Sequence, residues 1–239
     1  MKAKPRVLLF DAAGTLVHLA EPVAATYARF AAERGAILDV PLLNTGFKTS
    51  FRAMGMRPPG TIPRDGDDLA WWREVVRRSV ADQPLPPGFD FEEWFRALYR
   101  HFAEPEAWVP EPETVPLLGT LREAGYRLAV LSNWDSRLRP VLDGLGLAPF
   151  FEALFISSEH GLAKPDPAFF RLALDALGVA PDAAWMVGDD KEHDLAPARA
   201  LGMGAHRVHV DMSGNPGGSE APLATLVEAL TGTPEQKRG

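Results

Sequence analysis

The sequence predicts a doubly wound α/β protein, a parallel sheet with helices on both faces, carrying a helical unit inserted after its first strand. Three observations lead there. Five short runs rich in Val, Leu, Ile and Phe are near-continuous rather than alternating, as strands buried on both faces must be. Helix-period stretches closed by glycine lie between the last four runs. Between the first run and the second, apolar and aromatic residues recur at helical spacing and strand-like runs are missing.

In chain order, Arg6 to Asp11 reads as the first strand. The insertion follows, with helical patterns such as Tyr27, Phe30, Ala31 and Trp71, Trp72, Val75, Val76. Turns are expected at Pro58-Pro59-Gly60 and from Pro84 to Gly88, and Glu104-Pro105 to Pro112 reads as the linker returning to the core. A helix from Glu113 to Ala124 ends at Gly125, and strand Arg127 to Ser132 follows. Next come helix Trp134 to Leu145 before Gly146, strand Ala153 to Ser157, helix Pro167 to Leu177 before Gly178, and strand Ala184 to Gly188. Helix Asp194 to Leu201 before Gly202 and strand Ala205 to Val210 complete the alternation that marks a Rossmann-like sheet. The tail after Met212 is Gly- and Ser-rich, with one amphipathic helix expected over Leu223 to Leu230. The expected division is a core of residues 1–17 and 107–239 around an insertion of residues 18–106.

Composition narrows the function. With 239 residues, 46% hydrophobic and 24% charged, the chain can bury a sizeable core, which excludes disorder, collagen and coiled coil as the main architecture. A net charge of -7 gives no general attraction to nucleic acid or to an anionic membrane, so a phosphate-bearing ligand has to be held by a local site. The absence of cysteine excludes disulfides, thiolate metal sites and Cys nucleophiles. The basic start, Met1 to Arg6, is followed only by Val7 to Phe10 before Asp11, too short for a secretory signal, and no run is long enough to span a bilayer. A cytoplasmic location is expected.

Functional groups in such sheets collect at the carboxyl ends of the strands. Strand one runs into Asp11-Ala12-Ala13-Gly14-Thr15-Leu16, and strand two ends in Ser132-Asn133. Lys164-Pro165-Asp166-Pro167 follows strand three, and strand four ends in Gly188-Asp189-Asp190 with Asp194 a helical turn on. Lysines are few in this arginine-preferring chain, which draws attention to Lys164. Four motifs in this order, one per strand, resemble the haloacid dehalogenase superfamily. The phrase Ile156 to Pro165 and the run Val187 to Met203 are especially close to its pattern, and the insertion stands where one class of that family carries a helical cap.

The residue types supply a chemistry. Asp11 is the candidate nucleophile, since a carboxylate can attack phosphorus and split one displacement into two through an aspartyl-phosphate. Anion attacking anion needs neutralisation, and Mg2+ held by Asp11, the carbonyl of Ala13 and Asp189 is expected to give part of it. Lys164 would give the rest, with Ser132 and the amide of Asn133 donating to phosphoryl oxygens. Asp194 would orient Lys164 or a metal-bound water, Asp190 is a supporting group, and Asp166-Pro167 start a helix. The expected partner is a small phosphorylated metabolite.

One position departs from the family. Its phosphatases carry a second Asp two residues after the nucleophile, which protonates the leaving group; here that residue is Ala13. A positioned acid is worth about 10²–10⁴-fold, so ordinary phosphomonoester hydrolysis should be handicapped. A good leaving group would remove the need, and His18 is the nearest replacement acid. Phosphonoacetaldehyde hydrolases of the superfamily share this Ala and use a cap lysine, for which Lys48 has the residue type. The 2-haloacid dehalogenases also lack the second Asp and need no metal, but the Asp189-Asp190 pair would repel their carboxylate substrates. A metal- or ligand-binding module without catalysis is a further alternative, disfavoured by the nucleophile it would not need. Trp71, Trp72, Trp94 and Phe95 are expected in the core of the insertion, and Arg52, Arg73 and Arg77 on solvated helix faces or near an anionic ligand.

Overall fold

The computed structural model describes residues 5–55, 67–208 and 225–231. The expected Pro58-Pro59-Gly60 turn, the end of the last strand at His209 and Val210, and the glycine-rich tail lie outside them. The elements are β1 (Val7–Phe10), β2 (Val17–Leu19), α1 (Val23–Ala32), α2 (Val40–Met54), α3 (Asp67–Ser79), α4 (Phe91–His101), β3 (Trp108–Pro110), α5 (Thr114–Glu123) and β4 (Arg127–Ser132). They continue with α6 (Leu138–Gly144), β5 (Ala153–Ile156), α7 (Ser157–His160), α8 (Pro167–Leu177), β6 (Ala184–Gly188), α9 (Ala196–Ala200), β7 (Gly204–Arg207) and α10 (Thr225–Thr231).

Five strands form one parallel sheet in the order β5-β4-β1-β6-β7. From central β1 the chain builds β4 and β5 on one side, then crosses to build β6 and β7 on the other. That reversal opens a crevice at the carboxyl end of β1, where ligands bind in open α/β sheets. Alternation along β1 feeds both faces. Leu8 and Phe10 pack with Leu118, Leu121, Leu138 and Leu142, while Val7 and Leu9 pack with Phe169, Phe170, Ala173 and Leu174. All of these are buried, which is why the strands read as continuous apolar runs.

Helix α8 shows how the sequence encodes its own limits. Asp166 caps the start by accepting a hydrogen bond from Ala168 N at 2.8 Å, and Pro167, lacking an N–H, fits the first turn. Phe169, Phe170, Ala173, Leu174 and Leu177 fall on one face, and each large side chain buried there contributes on the order of 1.5–3 kcal/mol. Gly178 ends the helix at φ 64°, and the N–H of Val179 returns to the carbonyl of Leu174 at 3.1 Å.

Four expected boundaries differ. The stretch read as a return linker contains β3, which pairs antiparallel with β2 so that Leu19 faces Trp108 and Val17 faces Pro110. The chain thus leaves the core and re-enters it at adjacent positions, on strands of three residues each, too short to show a period. The helix expected from Trp134 begins only at Leu138, because Asp135 turns its side chain back onto Arg137 N at 3.0 Å and its carbonyl accepts from Leu138 N. The helix expected from Asp194 opens as a wide π turn, Lys191–Leu195, before α9, and Ser157 starts α7 rather than ending β5.

Helices α1 to α4, between β2 and β3, have an apolar cluster of their own, in which Tyr27, Leu43, Val76, Trp94, Phe95 and Leu98 are buried and the Tyr27 and Trp94 rings meet edge-on at 5.8 Å. Among the described residues no helix is long and apolar enough to cross a membrane.

At the sheet edge, His206 Nε2 lies 3.0 Å from Thr225 Oγ1 and ties β7 to α10. Burial holds the His206 imidazole below the usual histidine pKa, so the folded state favours the neutral ring. The unfolded chain therefore binds the proton more readily, and this contribution is complete above pH ~6.5 and lost as pH falls through the folded value. The expected result is that the drop in Tm between pH 7.5 and 5.5 is smaller in His206→Gln than in the parent. Equal drops would show that His206 does not carry the effect.

Candidate active site

The four strand ends predicted to carry chemistry converge. Asp11 follows β1 directly, with its amide bonded to Val187 O at 2.9 Å, and its side chain is 13% exposed. Its Oδ1 accepts from Ser132 Oγ at 2.8 Å and lies 2.8 Å from Lys164 Nζ. Lys164 Nζ also donates to Asp194 Oδ1 at 2.6 Å. One ammonium, almost wholly buried, thus bridges two buried carboxylates. Burial by itself lowers a lysine pKa; the charges of Asp11 and Asp194 outweigh it and hold Lys164 above the usual value, firmly protonated.

Asn133 does something the sequence did not suggest. Its side chain brackets the Lys164 backbone, with Nδ2 donating to the Lys164 carbonyl and Oδ1 accepting from its N–H, both at 2.8 Å. The loop after β5 is thereby fixed to the end of β4, which aims the lysine across the site. Ser132, expected to face a phosphoryl group, has its hydroxyl on Asp11 here.

Asp189 and Asp194 complete an acidic cluster with Asp11, their ligand oxygens all within 4.8 Å of one another. Burial and then the charge of Asp11 push the Asp189 carboxyl up to about 6. Two glycines make room for this packing. A Cβ on Gly14, whose φ is 78°, would sit 2.8 Å from Asp189 Oδ2, and one on Gly188 would collide with Asp194 Oδ2. The wide turn 191–195 swings Asp194 inward, and such turns recur at functional sites. Asp190 stays outside the cluster. It caps the turn through Glu192 N and His193 N, with His193 Nδ1 2.9 Å from its other oxygen.

A cavity of ≈640 Å³ adjoins this cluster, running from Ala13, Asn133 and Ala163 to Phe51, Trp71 and Trp72 of the insertion. Trp71 and Trp72 therefore line the cavity, while Trp94 and Phe95 are the buried core residues expected. A cross-link spans the cavity wall. Asp135 receives Arg137 Nε at 2.9 Å, Arg137 Nη2 at 2.7 Å and Trp72 Nε1 at 2.9 Å, and the guanidinium sits 3.9 Å from the Tyr99 ring centroid. The Arg137 charge holds the Asp135 carboxyl below the usual range in spite of burial. Nothing in the sequence pattern singles out Asp135 or Arg137, because a loop Asp and Arg two apart have no period to betray them.

Two candidates are not brought in. Lys48 is exposed on α2 and does not line the cavity. His18, on β2, lies 3.3 Å from Glu111 and likewise does not line the cavity. Of the arginines, Arg73 pairs with Glu92 and Arg77 with Glu74, while Arg52 lines the cavity.

The haloacid dehalogenase-like hydrolase family matches residues 5–202. Haloacid dehalogenase-like hydrolase domain-containing protein 3 of Mus musculus is 34% identical over 200 residues, 83% of this chain and 79% of the relative. Phosphoserine phosphatase of Thermus thermophilus is 39% identical over 155 residues, covering 64% and 61% of the two chains. A crystal structure of a dehalogenase superposes with a TM-score of 0.64 at 23% identity, covering 96% of this chain and 98% of that one, a likeness of fold alone. By its family match, its relatives and the five-stranded sheet that gathers the four motifs, the chain belongs to the haloacid dehalogenase-like hydrolase family and is an enzyme of that superfamily.

Proposed function

We propose that the protein is a Mg2+-dependent phosphohydrolase acting on a small phosphorylated metabolite through an aspartyl-phosphate on Asp11, with residues 1–17 and 107–239 as catalytic core and 18–106 as cap. The observation that carries this reading is the charge balance of the cluster: three carboxylates around one ammonium, an arrangement short of positive charge. The donors are hard oxygens, the set that suits Mg2+, and the Asp189 side chain nested against Gly14 faces Asp11. Asp11, Asp189 and the carbonyl of Ala13 would hold the ion, which when bound neutralises the charge of the phosphoryl group.

The chain's own groups do the rest. A carboxylate oxygen of Asp11 attacks phosphorus, the ester P–O bond breaks, and water later attacks the same phosphorus to release phosphate and restore the carboxylate. Lys164 stays charged throughout and stabilises negative charge on the transferred group, since Asp11 and Asp194 keep its proton in place. Asp194 positions that ammonium, and Asn133 positions its backbone. Ser132 orients Asp11 before attack. The similarity to a phosphoserine phosphatase favours a phosphorylated substrate.

The test is a panel of phosphomonoesters and acetyl phosphate, assayed with Mg2+ and with EDTA, beside Ala13→Asp. Phosphate release that requires Mg2+, together with an increase of about 10²-fold or more on alkyl phosphates in Ala13→Asp, is the expected outcome. Dechlorination of 2-chloropropionate surviving EDTA would replace this reading with the dehalogenase one, and inactivity in every arm would overturn the phosphohydrolase reading.

A further inference from the structure

The cavity next to Asp11 is larger and more aromatic than a serine or glycerol leaving group needs. Its ≈640 Å³ falls in the range that encloses a drug-sized ligand. Trp71 and Trp72 stand perpendicular with centroids 4.8 Å apart, and Phe51 meets them at 5.6 and 5.9 Å. Across the cavity Trp108 and Trp134 approach to 4.5 Å. The charged pair in this wall, Asp135 and Arg137, is turned on itself and on Trp72, and Arg52, Asp68 and His193 line the same cavity beside the aromatic faces. Flat aromatic walls favour flat aromatic ligands by offset and edge-to-face contact, worth about 0.5–1.5 kcal/mol per ring pair beyond area burial.

A second, independent observation concerns Ala13, which lines this same cavity where the phosphatases of the superfamily place their acid. A leaving oxygen that receives no proton from residue 13 departs as an anion unless another group of the lining, such as His193 or Asp68, supplies one. A phenol ionises near pH 10, as tyrosine does, whereas a simple alcohol behaves more like water and gives up its proton far less readily. The aromatic wall and the alanine at position 13 point to one kind of leaving group.

We propose that the substrate is an aryl phosphate monoester, a phosphorylated phenol whose ring lies among Trp71, Trp72, Trp108 and Trp134 with its phosphoryl group at Asp11. This rests on the phosphohydrolase reading and narrows it. The Asp11 oxygen–phosphorus bond forms as the phosphorus–phenolic oxygen bond breaks, and the electron pair leaves on the phenolate, which takes a proton from solvent. Water then attacks phosphorus and passes a proton to solvent as the Asp11 oxygen–phosphorus bond breaks, its electron pair returning to the carboxylate and phosphate leaving.

The experiment compares kcat and KM for phenyl and 1-naphthyl phosphate, benzyl phosphate, serine phosphate, glycerol phosphate and acetyl phosphate, all with Mg2+. Benzyl phosphate keeps the ring but leaves as an alkoxide, so it separates ring recognition from leaving-group chemistry. Aryl phosphates are expected to exceed serine and glycerol phosphate in kcat/KM by at least about 10²-fold, the value of the absent acid. Benzyl phosphate should match phenyl phosphate in KM and fall far below it in kcat, and Ala13→Asp should narrow that kcat gap. Trp71→Ala should raise KM for the aryl substrates several-fold. As a reading independent of turnover, 1-naphthylphosphonate should quench tryptophan fluorescence saturably in the parent and more weakly in Trp71→Ala. Serine or glycerol phosphate hydrolysed as efficiently as the aryl esters, or no saturable quenching, would overturn the aryl assignment and leave the phosphohydrolase reading standing. Failure of every ester and of acetyl phosphate would overturn both.

Discussion

Asp11→Asn is expected to abolish turnover while leaving the protein at least as heat-stable as the parent. Asparagine keeps the shape of aspartate and can still accept the Ser132 hydroxyl, but its amide is a poor nucleophile. Removing a group that acts as part of a catalytic unit costs the activity of the unit, at least about 10³-fold in kcat. Stability should move the other way. Asp11 shares one buried ammonium with Asp194 and sits with Asp189 in the same cluster, so a negative charge is being removed from a place that has too many. In metal-free protein the Tm should hold or rise, and the rise in Tm on adding Mg2+ to the parent should shrink in the variant, since ligand stabilisation scales with affinity. Parent-like turnover would end the nucleophile assignment. A Tm lowered by several degrees would show that the carboxylate is held for structure.

The sheet was open to reading because its residues report on their own surroundings. Strands buried on two faces have to be apolar at every position, so Val7 to Phe10 or Ala184 to Gly188 cannot disguise themselves. Asp166 and Gly178 declare the ends of α8 by the same local logic. Asp11, Ser132, Asn133, Lys164, Asp189 and Asp194 could be placed together because a parallel sheet sends all its carboxyl ends to one edge. What stayed hidden depends on contacts between distant parts of the chain. The β2–β3 pair is three residues long on each side and exists only because Val17 and Pro110, far apart in sequence, meet. The clamp of Asn133 on the Lys164 backbone and the link from Asp135 to Trp72 are of the same kind. Trp71 and Trp72 have the spacing of a buried helix face, yet in the folded chain both line the cavity, with Trp72 Nε1 donating to Asp135. Periodicity says that a side chain faces inward, not whether protein or ligand meets it there.

Lys164→Met tests the same charge balance from the opposite side, and its expected effect on stability is large. Methionine fills much of the lysine's volume but supplies no charge, so Asp11 and Asp194 would be left facing each other in a buried site without the cation between them. Breaking a buried ion pair by removing one partner typically costs 3–5 kcal/mol, because the stranded charge keeps its desolvation penalty, so a loss of about that size is expected here. Activity should fall by at least about 10²–10³-fold at temperatures where the variant is still folded, the usual cost of removing a group that stabilises developing charge. A packing defect at residue 164 would give a similar melt, and the double variant Lys164→Met/Asp194→Asn separates the two explanations. If the loss is electrostatic, removing one stranded carboxylate restores part of it, with a coupling of about 1–3 kcal/mol in a double-mutant cycle measured by urea unfolding. If the loss comes from packing, the two substitutions add. A single variant that melts with the parent would mean that Lys164 is not what holds the two carboxylates together, and the charge reading of the site would fall with it.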